Sequence, residues 1–447
     1  MPTVAFHTLG CKVNFYDTEA IWQLFKNEGY EQVDFESKTA DVYVINTCTV
    51  TNTGDKKSRQ IIRRAVRRNP DAVIAVTGCY AQTSPAEIMA IPGVDLVIGT
   101  QGRGEIIHLV NEVMEKRQPI NAVRNIMKTR QFEELDVPDF ADRTRAFLKI
   151  QEGCNNFCTF CIIPWSRGLL RSREPESVIK QARMLVEAGY KEIVLTGIHT
   201  AGYGEDLENY NFAALLRDLA EVDGIERLRI SSIEASQITD EVIDVLMSSP
   251  KFCRHLHVPL QAGDDAVLKR MRRKYTTAEY AERIARIRER WPEVAITTDV
   301  IVGFPGETDE MFETGFRFMQ EIGFSEMHVF PYSKRTGTPA ARMEDQVDEE
   351  LKNERVHKLI DLSESMQLAY ARKFVGEELS VIPEREAKGA EGQGLLSGYT
   401  DNYLQVVFPG DSSLIGQVVK VRVLEAGVNE CKGERIAEPA LPGAASF

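Results

Sequence analysis

The sequence predicts an α/β chain in three parts: an N-terminal doubly wound parallel sheet, a central incomplete (β/α)6 barrel, and a small C-terminal antiparallel β-barrel. Three observations predict it. Short apolar runs alternate with helix-like stretches from residue 1 to about 136, the rhythm of parallel strands joined by helical crossovers. That rhythm resumes between 144 and about 335, with six repeats, too few for an eight-stranded barrel. After Gly376 the pattern changes to short strands separated by glycine-containing turns. The boundaries read from these changes are 1–136, 137–375 and 376–447.

Composition limits the function classes. A chain of 447 residues, 43% hydrophobic and 27% charged, has the make-up of an ordinary globular protein with room for two or three cores. Eight cysteines are too few for a disulfide scaffold, and six of them fall into two groups. The start, Met1-Pro-Thr-Val-Ala-Phe6, lacks a signal segment, and no run approaches membrane-spanning length, which reads as a cytoplasmic protein without a membrane partner. In a reducing compartment, clustered cysteines read as metal ligands. A net charge of −13 argues against indiscriminate nucleic-acid binding, so any such contact falls to local basic patches.

In the first part, strands are expected at 4–8, 42–46, 72–77 and 95–98, with helices near 17–29, 52–69, 84–90 and 102–116. Cys11, Cys48 and Cys79 each follow one of the first three strands. In a doubly wound sheet those carboxyl ends converge on one crevice, so three thiols distant in sequence meet in space. The plain alternative is three separate buried thiols, but the shared position favours a three-cysteine cluster site. The helix after Cys48 is the most basic stretch. Lys56, Lys57, Arg59, Arg63 and Arg67 stand on it, the three arginines recurring every four residues opposite Ile61, Ile62, Ala65 and Val66. A solvated face is the plain reading, and contact with a phosphate backbone the sharper one. Residues 117–146, with two prolines and many charges, read as a linker.

In the second part, strands are expected at 146–150, 192–197, 226–231, 254–259, 295–302 and 325–330, alternating with helices at 175–188, 211–221, 239–248, 276–290 and 308–321. Cys154, Cys158 and Cys161 follow the first strand with C-x3-C-x2-C spacing. A tetrahedral zinc site wants a fourth ligand, and none is near. Three thiolates suit a [4Fe–4S] cluster whose fourth iron stays open. The spacing resembles that of the radical S-adenosylmethionine (radical SAM) superfamily, in which the open iron chelates AdoMet and the reduced cluster breaks a C–S bond to give a 5′-deoxyadenosyl radical. The resemblance implies that loops after later strands surround AdoMet: Gly197 near its amino group, Ser232 and Glu234 at its ribose, Gln261 near its carboxylate, and Phe160 against adenine. The segment Gly303-Phe-Pro-Gly306 lacks the lysine of a P-loop and reads as a wall followed by a capped helix. His199, His255 and His257 read as packed or hydrogen-bonded side chains. Two further basic groups, Arg167, Arg171 and Arg173 after the cysteine loop, and Lys269 to Lys274 with Arg272 and Arg273, extend a possible polyanion track.

A long amphipathic helix is expected over 349–374, leading from the barrel to strands at 379–382, 403–408 and 417–424. Taken whole, the chain resembles a methylthiotransferase of the radical SAM superfamily. The resemblance rests on Gly10-Cys11, Asn46-Thr-Cys48, Gly78-Cys79, Cys154/Cys158/Cys161 and the terminal barrel, which matches an RNA-binding TRAM domain. Within that family, Cys48-Thr-Val-Thr51 and Asp55-Lys-Lys-Ser-Arg-Gln60 are similar to the branch acting on N6-threonylcarbamoyladenosine (t6A) in tRNA. The implied reaction places –SCH3 on carbon 2 of t6A at position 37, beside the anticodon. It implies AdoMet, two [4Fe–4S] clusters, a low-potential electron donor and a sulfur source that the sequence leaves open. Rival readings are the same chemistry on isopentenyladenosine or on a ribosomal protein, and a non-catalytic iron–sulfur protein that binds RNA. One feature departs from the pattern: after 376, acids outnumber bases.

Overall fold

The structure, a computed structural model, describes residues 1–140, 143–387 and 394–436. Strands β1 (Thr3–Thr8), β2 (Glu31–Gln32), β3 (Val42–Thr47), β4 (Val73–Gly78), β5 (Leu96–Val97) and β6 (Ile120–Asn121) form one parallel sheet, in the order β2-β1-β3-β4-β5-β6. β3 and β4 are buried along their whole length because both faces are covered. On one face Ile21 and Phe25 of helix Lys12–Asn27 and Val110 of Ile106–Lys116 pack on Val42, Val44 and Ala75. On the other, Ile62 and Ala65 of helix Asn52–Arg68 pack on Tyr43, Ile45 and Ile74. Chain order reverses between β1 and β3, where a crevice opens beyond the strand ends.

One helix starts earlier than periodicity indicates, and one is additional to the helix expected at 84–90, which spans Pro85–Met89. The first helix begins at Lys12, directly after Cys11, because the Asn14 amide donates to the Leu9 carbonyl at 2.6 Å and folds the chain back. A short helix Cys79–Thr83 begins at Cys79 itself. The expected linker is not free either. It contributes β6, and its Glu133 and Glu134 accept from Arg103 and Arg173 at 2.9 and 2.8 Å.

The central strands are β7 (Arg145–Lys149), β10 (Glu192–Thr196), β11 (Arg227–Ile230), β12 (His255–His257), β13 (Ala295–Val302) and β14 (Glu326–Pro331); a small hairpin of β8 (Gln151–Glu152) and β9 (Arg171–Ser172) follows β7. They form parallel triplets β7-β10-β11 and β12-β13-β14, joined by the bridges Leu228↔Phe252 and Ser232↔His257. The result is an open six-stranded barrel with helices outside. An additional helix, Asp265–Arg270, was too short to show a period. Helix Glu349–Arg372 packs on β14 and leads to β15 (Glu378–Ala387), β16 (Leu395–Thr400), β17 (Gln405–Pro409), β18 (Val419–Glu425) and β19 (Cys431–Arg435). These close in the order β15-β16-β17-β19-β18, antiparallel except that β17 and β19 run parallel.

The small barrel plugs the amino end of the large one. Arg229 donates to the Thr400 carbonyl at 3.0 Å, Arg227 to that of Ser380 at 2.6 Å, and Tyr403 stacks on His255 with centroids 4.3 Å apart. No helix among the described residues is long and apolar enough to cross a membrane.

Candidate metal centres at the strand ends

Gly10, with φ +104°, turns the chain after β1, and a Cβ there would lie 3.0 Å from the Cys48 sulfur. Only glycine allows so close an approach, so the Cys11 loop abuts Cys48. Gly78, with φ +95°, does the same after β4, where a Cβ would lie 2.4 Å from the Thr47 carbonyl. Asn14, not marked by the sequence reading, braces the group. Its amide donates to Leu9 and Thr47, and its Oδ1 lies 4.0 Å from the Cys79 sulfur. A Cys-x2-Asn spacing was the only signal for it.

Burial, with the neighbouring Cys79 thiol, pushes the Cys48 thiol up to about 11, and burial raises Cys79 as well. In the second group, burial pushes Cys154 up to about 11 and Cys161 to about 12, the Cys158 thiol adding to both. Clustered thiols, two of each triplet held up by burial, need a compensating cation to ionise together, and iron would supply it. Both triplets fit a cluster by that chemistry. Gly153, where a Cβ would meet the Leu169 carbonyl at 2.0 Å, lets the second loop close.

Each triplet has one arginine donating to a sulfur. Arg167 Nε donates to Cys79 at 3.2 Å, and Arg273 Nη1 to Cys158 at 3.4 Å. This corrects the polyanion track. Arg167 is 0% and Arg171 1% exposed, and both are spent inside the protein. Arg171 donates to the carbonyls of Leu169 and Arg167. Arg173 is equally buried, on Glu134, Tyr16 and Gln181. The Arg273 side chain is 5% exposed and paired with Glu234. Charge without a period shows no burial, so the sequence made these residues look like surface. Arg272 is exposed, as are Lys56, Lys57, Arg63 and Arg67, none of which pairs with an acid among the described residues. Arg59 is half-buried and donates to the Tyr80 hydroxyl at 2.9 Å.

Around Arg167 lies a buried network that joins the first sheet to the barrel. Arg167 Nη1 donates to Asp17 at 2.7 Å and Glu152 at 2.9 Å, Lys149 to Asp17 at 2.7 Å, and Arg103 reaches Asp17, Glu133 and Glu152. Three cations meet three carboxylates. Burial would raise the Asp17 carboxyl, but Arg103, Lys149 and Arg167 hold it far below the usual range. Because Asp17 lies on the first helix and Lys149 ends β7, this network fixes one cysteine triplet relative to the other.

Cys158, Asn155, Asn156, His199 and Glu234 line a cavity of about 170 Å³ at the barrel mouth. Phe160 packs edge-on to Phe304, Gly197 abuts the Gln151 side chain, Ser232 is exposed, and Gln261 takes φ +69° beside β13. These four stand on the rim but outside that cavity. A larger cleft of about 1020 Å³ runs between the two parts, past Arg59, Gln82, Trp165, Arg335 and Arg342. Trp165 is 46% exposed there.

Comparison with known proteins agrees with this arrangement. The model of the radical SAM superfamily matches residues 148–319, that of the uncharacterised protein family UPF0004 matches 3–99, and that of the TRAM domain matches 372–434. The chain is 66% identical over 441 residues to the threonylcarbamoyladenosine tRNA methylthiotransferase MtaB of Bacillus subtilis, covering 98% of both chains. It is 40% identical to the MtaB of Aquifex aeolicus, over 94% of this chain and all of that one. It is 37% identical to the tRNA-2-methylthio-N(6)-dimethylallyladenosine synthase of Carboxydothermus hydrogenoformans, over 95% and 97%. Among solved structures, the radical SAM methyltransferase TsrM of Kitasatospora setae aligns over 89% of this chain and 81% of its own, with a TM-score of 0.56 and 16% identity, a likeness of fold. Two cysteine triplets at adjoining strand ends, a six-stranded barrel and full-length relatives at this identity lead to one conclusion: the chain belongs to the radical SAM tRNA methylthiotransferase family.

Proposed function

We propose that this enzyme adds a methylthio group to carbon 2 of t6A at position 37 of tRNA. The observation that carries the choice of nucleoside is the 66% identity to the Bacillus subtilis MtaB, against 37% to the dimethylallyladenosine enzyme. The cofactors are AdoMet and two [4Fe–4S] clusters. In this reading Cys154, Cys158 and Cys161 hold the cluster that binds AdoMet, and Cys11, Cys48 and Cys79 hold the other. Once bound, these groups supply a carbon radical and a methyl-bearing sulfur, the means to substitute an unactivated aromatic C–H bond.

The chain's own residues position and insulate. Arg167 and Arg273 place an N–H on one sulfur of each triplet, which favours the thiolate and would raise the reduction potential of a cluster held there. Phe160, Gly197, Ser232, Glu234 and Gln261 surround AdoMet, with Glu234 fixed by Arg273 for the ribose hydroxyls. Lys56, Lys57, Arg59, Arg63, Arg67 and Arg272 face the RNA backbone. The functional parts divide at 1–136, 137–375 and 376–447, a low-potential donor supplies electrons, and the setting is the cytoplasm. Cysteine variants test the division of labour. Cys154→Ala abolishes AdoMet cleavage, whereas Cys11→Ala keeps cleavage and stops thiolation. Product formed by the Cys11 variant would refute the second site.

A further inference from the structure

Below the strand-end loops, the inner wall of the barrel carries three polar side chains that neither triplet nor ion-pair network uses. His257 ends β12, Asp299 lies in β13 and His328 in β14. Asp299 and His328 are register partners, and Asp299 stands two residues beyond Thr297, the partner of His257. All three therefore share one face, and their nitrogen and oxygen atoms lie within 4.8 Å of one another. That face is the lumen, because the alternating residues Ile296, Val300, Val302 and Met327 pack in the core under the helices. His257 is oriented by Thr297, whose hydroxyl lies 2.9 Å from Nδ1, leaving Nε2 3.2 Å from Asp299. The His328 ring stacks 5.7 Å from that of His257, and its nearest acid, Glu326, is 3.7 Å away, beyond hydrogen-bond length. Side-chain exposures of 14%, 32% and 41% for His257, Asp299 and His328 show open space in front of them.

The trio lies directly beneath the proposed AdoMet rim. The Asp299 carbonyl accepts from Gln261 N at 2.9 Å, and the His257 carbonyl from Ile233 N, next to Ser232, at 2.9 Å. A nucleobase presented to the rim by its carbon 2 edge has its N6 substituent left to place. In t6A that substituent carries N–H and O–H donors and a carboxylate. Deeper in the lumen, Arg145, Arg227 and Arg229 surround Glu192 at 3.7, 3.4 and 2.6 Å, so the floor holds three cations around one acid, with Glu384 on Arg145 as a further anion.

Resting on the t6A reading, we propose that His257, Asp299 and His328 form the subsite for the threonylcarbamoyl group. Asp299 accepts from its N–H or hydroxyl, His257 holds Asp299 in place, and His328 donates to its carboxylate. A dimethylallyl group offers none of these partners and leaves Asp299 and His328 without the bonds that the threonylcarbamoyl group makes. Sites built to hydrogen-bond a substrate group discriminate against the analogue lacking it, because the site's polar groups are then left without that partner. The subsite is thus the specificity element between two substrates of one reaction.

Binding tests this without turnover. The reconstituted full chain is titrated with fluorescent anticodon stem-loops that differ only in t6A or unmodified adenosine at position 37. The parent prefers the t6A form by about tenfold or more, the worth of one hydrogen bond to a charged group. His328→Leu and Asp299→Leu bring the ratio close to one, and His328→Gln, which keeps a donor, and Asp299→Asn, which keeps an acceptor, each retain part of the preference. Iron content and circular dichroism matching the parent's establish that the variants are folded. A His328→Leu protein with the parent's ratio overturns the proposal, as does a parent without preference. A preference that EDTA abolishes in the parent also overturns it, and assigns the trio to a divalent cation. Failure of the t6A reading itself appears elsewhere, as a parent enzyme that modifies dimethylallyladenosine and leaves t6A untouched.

Discussion

Replacing Arg167 by methionine removes the one side chain that touches Cys79, Asn14, Asp17 and Glu152 together. The guanidinium is wholly buried, so water cannot take its place. Breaking one partner out of a buried ion pair costs about 3–5 kcal/mol. Arg103 and Lys149 still hold Asp17 and Glu152, which sets the expected loss near the lower end, about 3 kcal/mol. The Cys79 sulfur also loses the guanidinium that donates to it, so the Cys11/Cys48/Cys79 cluster is bound less tightly. The assay is denaturant unfolding of the reconstituted chain, with iron counted before and after gel filtration. The midpoint falls, and iron drops toward one cluster per chain. Affinity of the folded fraction for tRNA keeps the parent's salt dependence. A phosphate contact would behave oppositely, lowering the salt slope by about 0.9 with stability intact. That second pattern would refute the buried-network reasoning.

Other consequences follow from the same geometry. Burial alone would raise the Glu152 carboxyl, but Arg167 and Lys149 beside it hold it down at about 2. An acid depressed on folding stabilises above its ordinary pKa near 4, and that stabilisation fades as pH falls toward 2. Limited proteolysis should therefore find the first sheet docked at pH 5 and released between about pH 4 and 2; release already at pH 6 contradicts the network. Gly78→Ala forces a Cβ to 2.4 Å from the Thr47 carbonyl at φ +95°, and should cost about 2 kcal/mol or more with loss of the same cluster. Wild-type iron content in that variant would show that the turn is not needed. Arg63→Gln with Arg67→Gln, both exposed, should lower the salt slope of tRNA binding by up to about 2 and leave the thermal midpoint unchanged. An unchanged slope would return that helix face to solvent.

Periodicity was enough to read the β3 and β4 strands, which are covered on both faces and so are continuous apolar runs, and all six barrel strands, whose helix-facing positions are apolar. It missed β2 and β6, two residues each, which are held by backbone bonds at a sheet edge and carry no pattern. The six cysteines were legible because strand-end position and spacing are properties of the chain alone. The arginines were misread for a physical reason. Arg167 and Arg273 look identical to exposed cations until their partners are known, and those partners, Asp17 and Glu234, lie 150 and 39 positions away; Arg171 is bound by the backbone carbonyls of Leu169 and Arg167, which no side-chain pattern marks. Asp17, Lys149 and Arg103 were passed over because an isolated charge inside a helix or strand reads as surface. The lumen trio was invisible for another reason. His257, Asp299 and His328 come from three segments that only strand register aligns.

The central claim is the substrate and the bond formed on it. Mass spectrometry of tRNA nucleosides, from cells with and without this gene, reads both at once. On deletion 2-methylthio-t6A should disappear while its t6A precursor persists, and the intact gene should restore it. Unchanged 2-methylthio-t6A, with loss of a 2-methylthio derivative of isopentenyladenosine instead, would contradict the assignment.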